Sequence, residues 1–196
     1  TLELLTGQVF DVDGTTPVVG ASVILYKTLV ATPNTVTQEA IAYTDANGDY
    51  IFTDTFRWRE LLYPTIGSII NMINGIELRV RIFPESTTFK VQKDWLNILD
   101  LSGELLTDWG IVDELIEEFL SYSVITDPIN VGYFDRNGDF GTIQIPYGIE
   151  LDDTGGLVES NVLHRSFKVA QSLAMGQKFI NEQGINITNK LNVAYP

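Results

Sequence analysis

Along the first half of the chain, apolar positions come in short runs rich in Val, Ile, Tyr, Phe and Thr, broken at close intervals by Gly, Pro, Asn and Asp. The runs Gly7–Phe10, Ala21–Tyr26, Glu39–Thr44, Asp49–Thr55, Ile76–Phe83 and Thr87–Gln92 read as strands. Asp13-Gly14, Pro33-Asn34, Asn47-Gly48 and Pro84-Glu85 read as the turns that separate them. In the run from Ile76, Leu78, Val80 and Ile82 alternate with Glu77, Arg79 and Arg81, so one face is dry and the other wet. Short strands with this punctuation predict a sandwich of antiparallel sheets. An apolar insertion, Phe56 to Asn74, is broken by Pro64 and Gly67 and is expected as a short helix or two turns across an open end of the sandwich.

The pattern changes after Trp95. Asp108 is placed to cap a helix whose Val112, Leu115, Ile116 and Phe119 fall at helical spacing, with Asp113, Glu114, Glu117 and Glu118 on the other face. A second helix is expected from about Ser160 to Gln183. Leu163, Phe167, Ala170 and Ala174 form its apolar stripe, and Gly184 ends it in a left-handed cap. Ile185, Ile187, Leu191, Val193 and Tyr195 then recur with a period of two, with Asn189 the only lapse, which predicts an extended strand with one oily face and no obvious partner. The fold class is therefore mainly β with α additions (α+β). A β-sandwich over residues 1–95, with its insertion at 56–74, precedes a helical and hairpin region over 96–196 that ends in the terminal strand.

Composition narrows the function. Twelve Lys and Arg against twenty-six Asp and Glu leave a formal charge of −14 over 196 residues. Such a surface repels phosphate and anionic lipid headgroups, so neither nucleic acid nor a charged bilayer is an expected partner. No apolar run reaches the length of a spanning helix, so no membrane insertion is expected. Cysteine is absent, which removes disulfides, thiol nucleophiles and cysteine-held metals. His164 is the only histidine, so any imidazole chemistry near neutral pH has to share it. The chain starts at Thr1, and it is read as an exported protein without its leader, a trimmed chain being the alternative.

The segment GQVFDVDGTTPVVGASVILYKT, followed by YTDANGDYIFTDT, resembles the carboxypeptidase regulatory-like domain family, a transthyretin-like β-sandwich. The likeness lies in Gly7, Val9, Asp11, Gly14, Pro17, Gly20, Ala21, Val23, the turn from Thr44 to Gly48, Tyr50 and Phe52. It covers the first 55 residues well, extends loosely to about residue 95, and does not reach the helical second half. The resemblance implies an accessory, adhesive or structural module of secreted and surface proteins. Enzymes on similar sandwiches use more than one histidine, and adhesin relatives with a Lys–Asn isopeptide bond carry its lysine on the first strand. Only His164 is available, outside the matching segment, and the first strand around Gly7–Phe10 has no lysine.

Two loops share the pattern Asp-x-Asn-Gly-Asp: Asp45, Asn47 and Asp49, and Asp135, Asn137 and Asp139. Carboxylate and amide oxygens at this density suit calcium, the one cofactor considered. The glycine is fourth rather than sixth as in an EF-hand loop, and no bidentate Glu follows, so the competing reading is a pair of Asn-Gly hairpin turns with solvated aspartates. Asp11 with Asp13, and Asp152 with Asp153, are further acidic pairs with no pattern that would hold two carboxylates at a catalytic separation. Trp58, Trp95 and Trp109 read as packing residues before a glycan platform. Asn186-Ile187-Thr188 is a glycosylation sequon at Asn186.

Together these readings predict a non-enzymatic, exported structural protein that assembles with copies of itself or with other surface or virion proteins. The expected settings are a filament, a surface layer or a virion. Leu2 and Leu4 at one end, and Ile185, Ile187, Leu191, Val193 and Tyr195 at the other, are the candidate strands for addition to a neighbour's sheet edge. The alternative is a monomeric adhesion module that binds glycan or protein.

Overall fold

The computed structural model describes residues 4–29, 32–53, 76–93, 122–131, 138–151 and 157–195. Its strands are β1 (Leu4–Phe10), β2 (Ser22–Leu29), β3 (Thr32–Tyr43), β4 (Asp49–Thr53), β5 (Ile76–Phe83), β6 (Phe89–Lys93), β7 (Val124–Ile125), β8 (Ile129–Val131), β9 (Gly138–Gln144), β10 (Gly148–Leu151), β11 (Leu157–Ser160) and β12 (Leu191–Tyr195). One helix, α1 (Val162–Glu182), lies among the described residues. The fold is α+β, mainly β and sandwich-like. The insertion at 56–74 and the helix expected after Asp108 lie outside the described residues, as do Trp58, Trp95 and Trp109.

The chain divides into two compact units, Thr1–Ile82 with Val124–Ile145, and Phe83–Ser123 with Pro146–Pro196. The expected boundary at Trp95 is replaced by this interleaving, because β9 returns from the second half of the sequence to pair with β1.

In the first unit one sheet runs β4-β1-β9, and the other runs β3-β2-β5-β7 with β8 also on β5. The first sheet is mixed, since β4 pairs antiparallel to β1 and β9 pairs parallel to it. Where the register of β1 shifts between Thr6 and Gln8, β9 advances from Asp139 to Thr142, and Gly141 takes φ 67° at this bulge. The alternation in β5 holds, with Leu78, Val80 and Ile82 buried and Arg79 exposed. Leu5, Val9, Val23, Leu25, Tyr50 and Phe52 complete that core.

Two turns differ from expectation. Pro33 and Asn34 lie inside β3, not between strands. That strand is an edge of its sheet, where a residue without an amide hydrogen breaks no ladder. The Asn47-Gly48 turn does not close a hairpin either, because β3 pairs with β2 and β4 pairs with β1. It carries the chain from one sheet to the other. Gly48 has φ 79°, and a methyl group there would overlap the Val9 carbonyl oxygen, so glycine is required twice over.

Tyr50 sits directly opposite Gly7 in the β1–β4 register. Its ring fills the space a side chain at Gly7 would need, and a methyl group there would overlap the phenol oxygen. The ring meets Phe52 edge-on at 5.7 Å between centroids, a geometry worth about 0.5–1.5 kcal/mol beyond burial. Its hydroxyl is buried with no hydrogen-bond partner among the described residues.

In the second unit β12 pairs in parallel with β6, and β10 with β11 antiparallel. Helix α1 follows the expected stripe, burying Phe167 and Ala170, with Leu163 and Ala174 partly covered. Phe89 and Val91 of β6, Tyr122 and Ala170 form the shared core, and Tyr195 packs against it. The Tyr122 hydroxyl donates to the Tyr195 carbonyl at 3.0 Å. Ser160 Oγ accepts from the Val162 amide at 3.1 Å at the start of α1, and Gly184 with φ 79° ends it, as expected.

The tail is corrected in two respects. Ile185 and Ile187 are not in a strand, since the strand begins at Leu191, where the backbone first bonds to Thr88. The terminal strand also has a partner within its own chain, β6. At the other end Leu4 opens β1, whose two edges are already taken by β4 and β9, and Leu2 lies outside the described residues.

Gly7→Ala is expected to destabilise the first unit by about 1–3 kcal/mol through overpacking against Tyr50. Tyr50→Phe, which deletes an unpartnered buried hydroxyl, is expected to hold or raise stability by about 1 kcal/mol. Urea unfolding checks both, and a wild-type midpoint for Gly7→Ala would mean that the ring is not seated on that glycine.

Candidate functional site

The first candidate is the acidic loop from Asp45 to Asp49. Asp45 Oδ1 accepts from the Asn47 amide at 2.8 Å and the Asp49 amide at 3.0 Å, so the carboxylate is turned into its own loop. Asp49 Oδ1 accepts from Gln8 Nε2 at 2.5 Å across the β1–β4 pair. In β9, Asp139 Oδ1 accepts from the Gly141 amide at 2.9 Å and from Thr6 Oγ1 at 3.4 Å. Asp135 and Asn137 lie outside the described residues. Among the described residues, no group of three or more His, Asp or Glu side chains is gathered as metal ligands. The arrangement is that of three aspartates, each bonded to donors of its own neighbourhood.

What the fold does bring together is a groove of about 710 Å³ on the first unit. Asp45, Asp49 and Asp139 line it, with Thr6, Gln8 and Thr142 between them and Ile41, Tyr43 and Ile51 at the side. Gly7 and Tyr50, both buried, are also part of its lining. Ile41, Tyr43 and Ile51 are 50%, 43% and 52% exposed, so the groove pairs carboxylates with open apolar surface. Burial pushes the Tyr50 phenol well above its ordinary pKa, and the Asp139 charge adds to the shift. Tyr50 is therefore a neutral wall and not a proton donor near pH 7. Sequence reasoning placed Asp45, Asp49 and Asp139 in two separate loops. It missed Ile41 and Ile51, whose exposure depends on which strand faces stand open.

The remaining candidates are dispersed. Asp11 is buried, and its Oδ1 accepts from the Val12 amide at 2.8 Å. Asp13 Oδ1 accepts from the Thr15 and Thr16 amides at 2.9 and 2.7 Å, and its Oδ2 from Thr16 Oγ1 at 2.5 Å. Those bonds, the Thr16 hydroxyl first, hold the Asp13 carboxyl far below the usual carboxylate range. Asp152 and Asp153 lie outside the described residues. His164 is half-buried near the start of α1 and meets Tyr147 edge-on at 6.1 Å. Asn186 is exposed in the irregular segment before β12.

No protein-family model matches the chain, and no curated protein matches it. Among solved structures, a 9R-lipoxygenase from Cyanothece PCC8801 is similar at 16% identity and a TM-score of 0.38. The alignment covers 93% of this chain and 23% of that one, so the chain spans less than a quarter of the lipoxygenase. A likeness at that score carries no argument about fold or activity.

The Asp13 turn makes a pH prediction. An unfolded aspartate titrates near 3.8, and the folded value is lower, so Asp13 stabilises the fold above the unfolded value. That contribution is lost as pH falls through this window towards the folded value. Asp13→Asn should lower the urea midpoint near pH 7, and the gap to wild type should close as the buffer is taken from about pH 4 to about pH 2. A gap that stays constant across that range would assign the effect to something other than the carboxylate's charge.

Proposed function

We propose that this chain is a non-enzymatic structural subunit that works outside the cell, in a surface layer, a filament or a virion, and associates with copies of itself. The observation that carries the reading is the apolar surface of the second unit. Met175 and Phe179, one turn apart on α1, are 73% and 64% exposed, and Ile185 and Leu191 beyond the helix are 60% and 54% exposed. Met175 and Phe179 share one helix face, and exposed apolar side chains of this size are found at association surfaces. Covering them returns roughly 25 cal/mol for each Å² taken from water.

The resemblance of the Gly7–Thr55 segment to carboxypeptidase regulatory-like modules supports the same reading, since such modules are accessory or structural. The packing of the sole imidazole against Tyr147, and the commitment of Asp11, Asp13 and Asp45 to their own loops, favour a role without catalysis. Strand addition through the tail is narrower than its sequence suggested, because only the edge of β12 away from β6 has no strand partner among the described residues. The groove beside Tyr43 favours a second reading, a monomeric module that binds glycan or protein.

Light scattering after size exclusion, over a range of concentrations, separates the two. Self-assembly predicts a mass that climbs above the 21.9 kDa of the chain as concentration rises. A mass fixed at one chain throughout overturns assembly and leaves the binding module.

A further inference from the structure

We propose that copies join head to tail, with the exposed face of α1 in one copy seated in the acidic groove of the next. The proposal rests on the assembly reading and names its two surfaces.

Charge singles out the helix. The chain carries a net −14, yet α1 holds Arg165, Lys168 and Lys178 against one acidic residue, Glu182. Met175, Lys178 and Phe179 stand at i, i+3 and i+4, so they share one face. Lys178 is exposed and has no ion-pair partner among the described residues. Glu182 follows one turn later, at the end of the helix.

The groove has the complementary character. Among the described residues its lining includes three carboxylates, Asp45, Asp49 and Asp139, and no basic side chain. Ile41 and Ile51 beside them are about half exposed, and Met175 and Phe179 of the helix, which they would cover, are more exposed still. At about 710 Å³ the groove lies within the size range of built binding pockets. An ammonium group near the aspartates, with the Phe179 ring over the isoleucines, satisfies both surfaces at once. Groove against groove opposes aspartates, which disfavours that symmetric pairing. A contact between two different surfaces of one chain is heterologous, and repetition closes a ring or extends a filament.

Two double variants on exposed side chains test this. Lys178→Glu with Phe179→Asp disables the helix face, and Ile41→Lys with Ile51→Lys disables the groove. Each is first checked by circular dichroism for an unchanged fold, with Lys178→Gln as a milder second helix variant. Each double variant alone is expected to lose assembly at concentrations where wild type associates. An equimolar mixture of the two retains one intact helix face and one intact groove, and is expected to form a 1:1 dimer that grows no further. Raising salt should weaken that dimer. If wild type associates but either double variant does so equally well, or if the mixture stays monomeric, these surfaces are wrong while assembly stands. If wild type is a monomer at every concentration, the assembly reading fails and this proposal with it.

Discussion

The phenol of Tyr50 against the bare backbone of Gly7 is the contact on which the first unit depends. β1 is hydrogen-bonded along both edges, to β4 and to β9. Across β1 the ring takes the volume that any side chain at Gly7 would occupy. The arrangement leaves the Tyr50 hydroxyl buried and without a partner among the described residues, a cost of about 1–3 kcal/mol. Burial of the ring and its edge-on contact with Phe52 offset that cost. The outward residues of the same three strands, Thr6, Gln8, Asp49, Ile51 and Asp139, then share one surface, and the groove is built on it.

The second unit solves a different problem. A two-stranded sheet has little independent stability, and β6 with β12 is such a sheet. Helix α1 supplies the missing layer by laying Ala170 against Phe89, Val91 and Tyr122, with Leu163, Leu173 and Ala174 packed beside it. The terminal strand is held by backbone pairing and by the Tyr122 hydroxyl on the Tyr195 carbonyl. Only the first half of the helix has deeply buried side chains. The later turns keep Leu173 and Ala174 against the core while Met175 and Phe179 stand exposed, so the helix has a packed face and an open one.

Acidity shapes what such a partner must be. With a net charge of −14, most approaches of one copy to another are repulsive at low salt. In the proposed assembly, association would depend on the few places where basic and apolar groups coincide, and the outer turns of α1 are such a place. Under that proposal, repulsion elsewhere would select the register of the contact.

Much of this protein was legible in one dimension. The alternation of Leu78, Val80 and Ile82, the helix stripe of Leu163, Phe167, Ala170 and Ala174, and the Gly184 stop depend on periodicity and local backbone preference, which neighbouring residues carry by themselves. The turn glycines Gly14 and Gly48 were legible for the same reason, since a positive φ is a local demand. Of the acidic groove, the aspartates were visible as a repeated loop motif, but their meeting was not.

What only the tertiary structure decided is every pairing between distant segments. The parallel union of β1 with β9, the capture of β12 by β6, the division of the chain into interleaved units, and the meeting of Asp49 with Asp139 around one groove all join residues separated by tens of positions or more. A strand's period of two says which face is apolar and nothing about which neighbour completes its ladder, because the backbone groups that pair are the same at every residue. The sequence by itself determined the elements and their oily faces. The partners of those faces were settled by which combination buried them together.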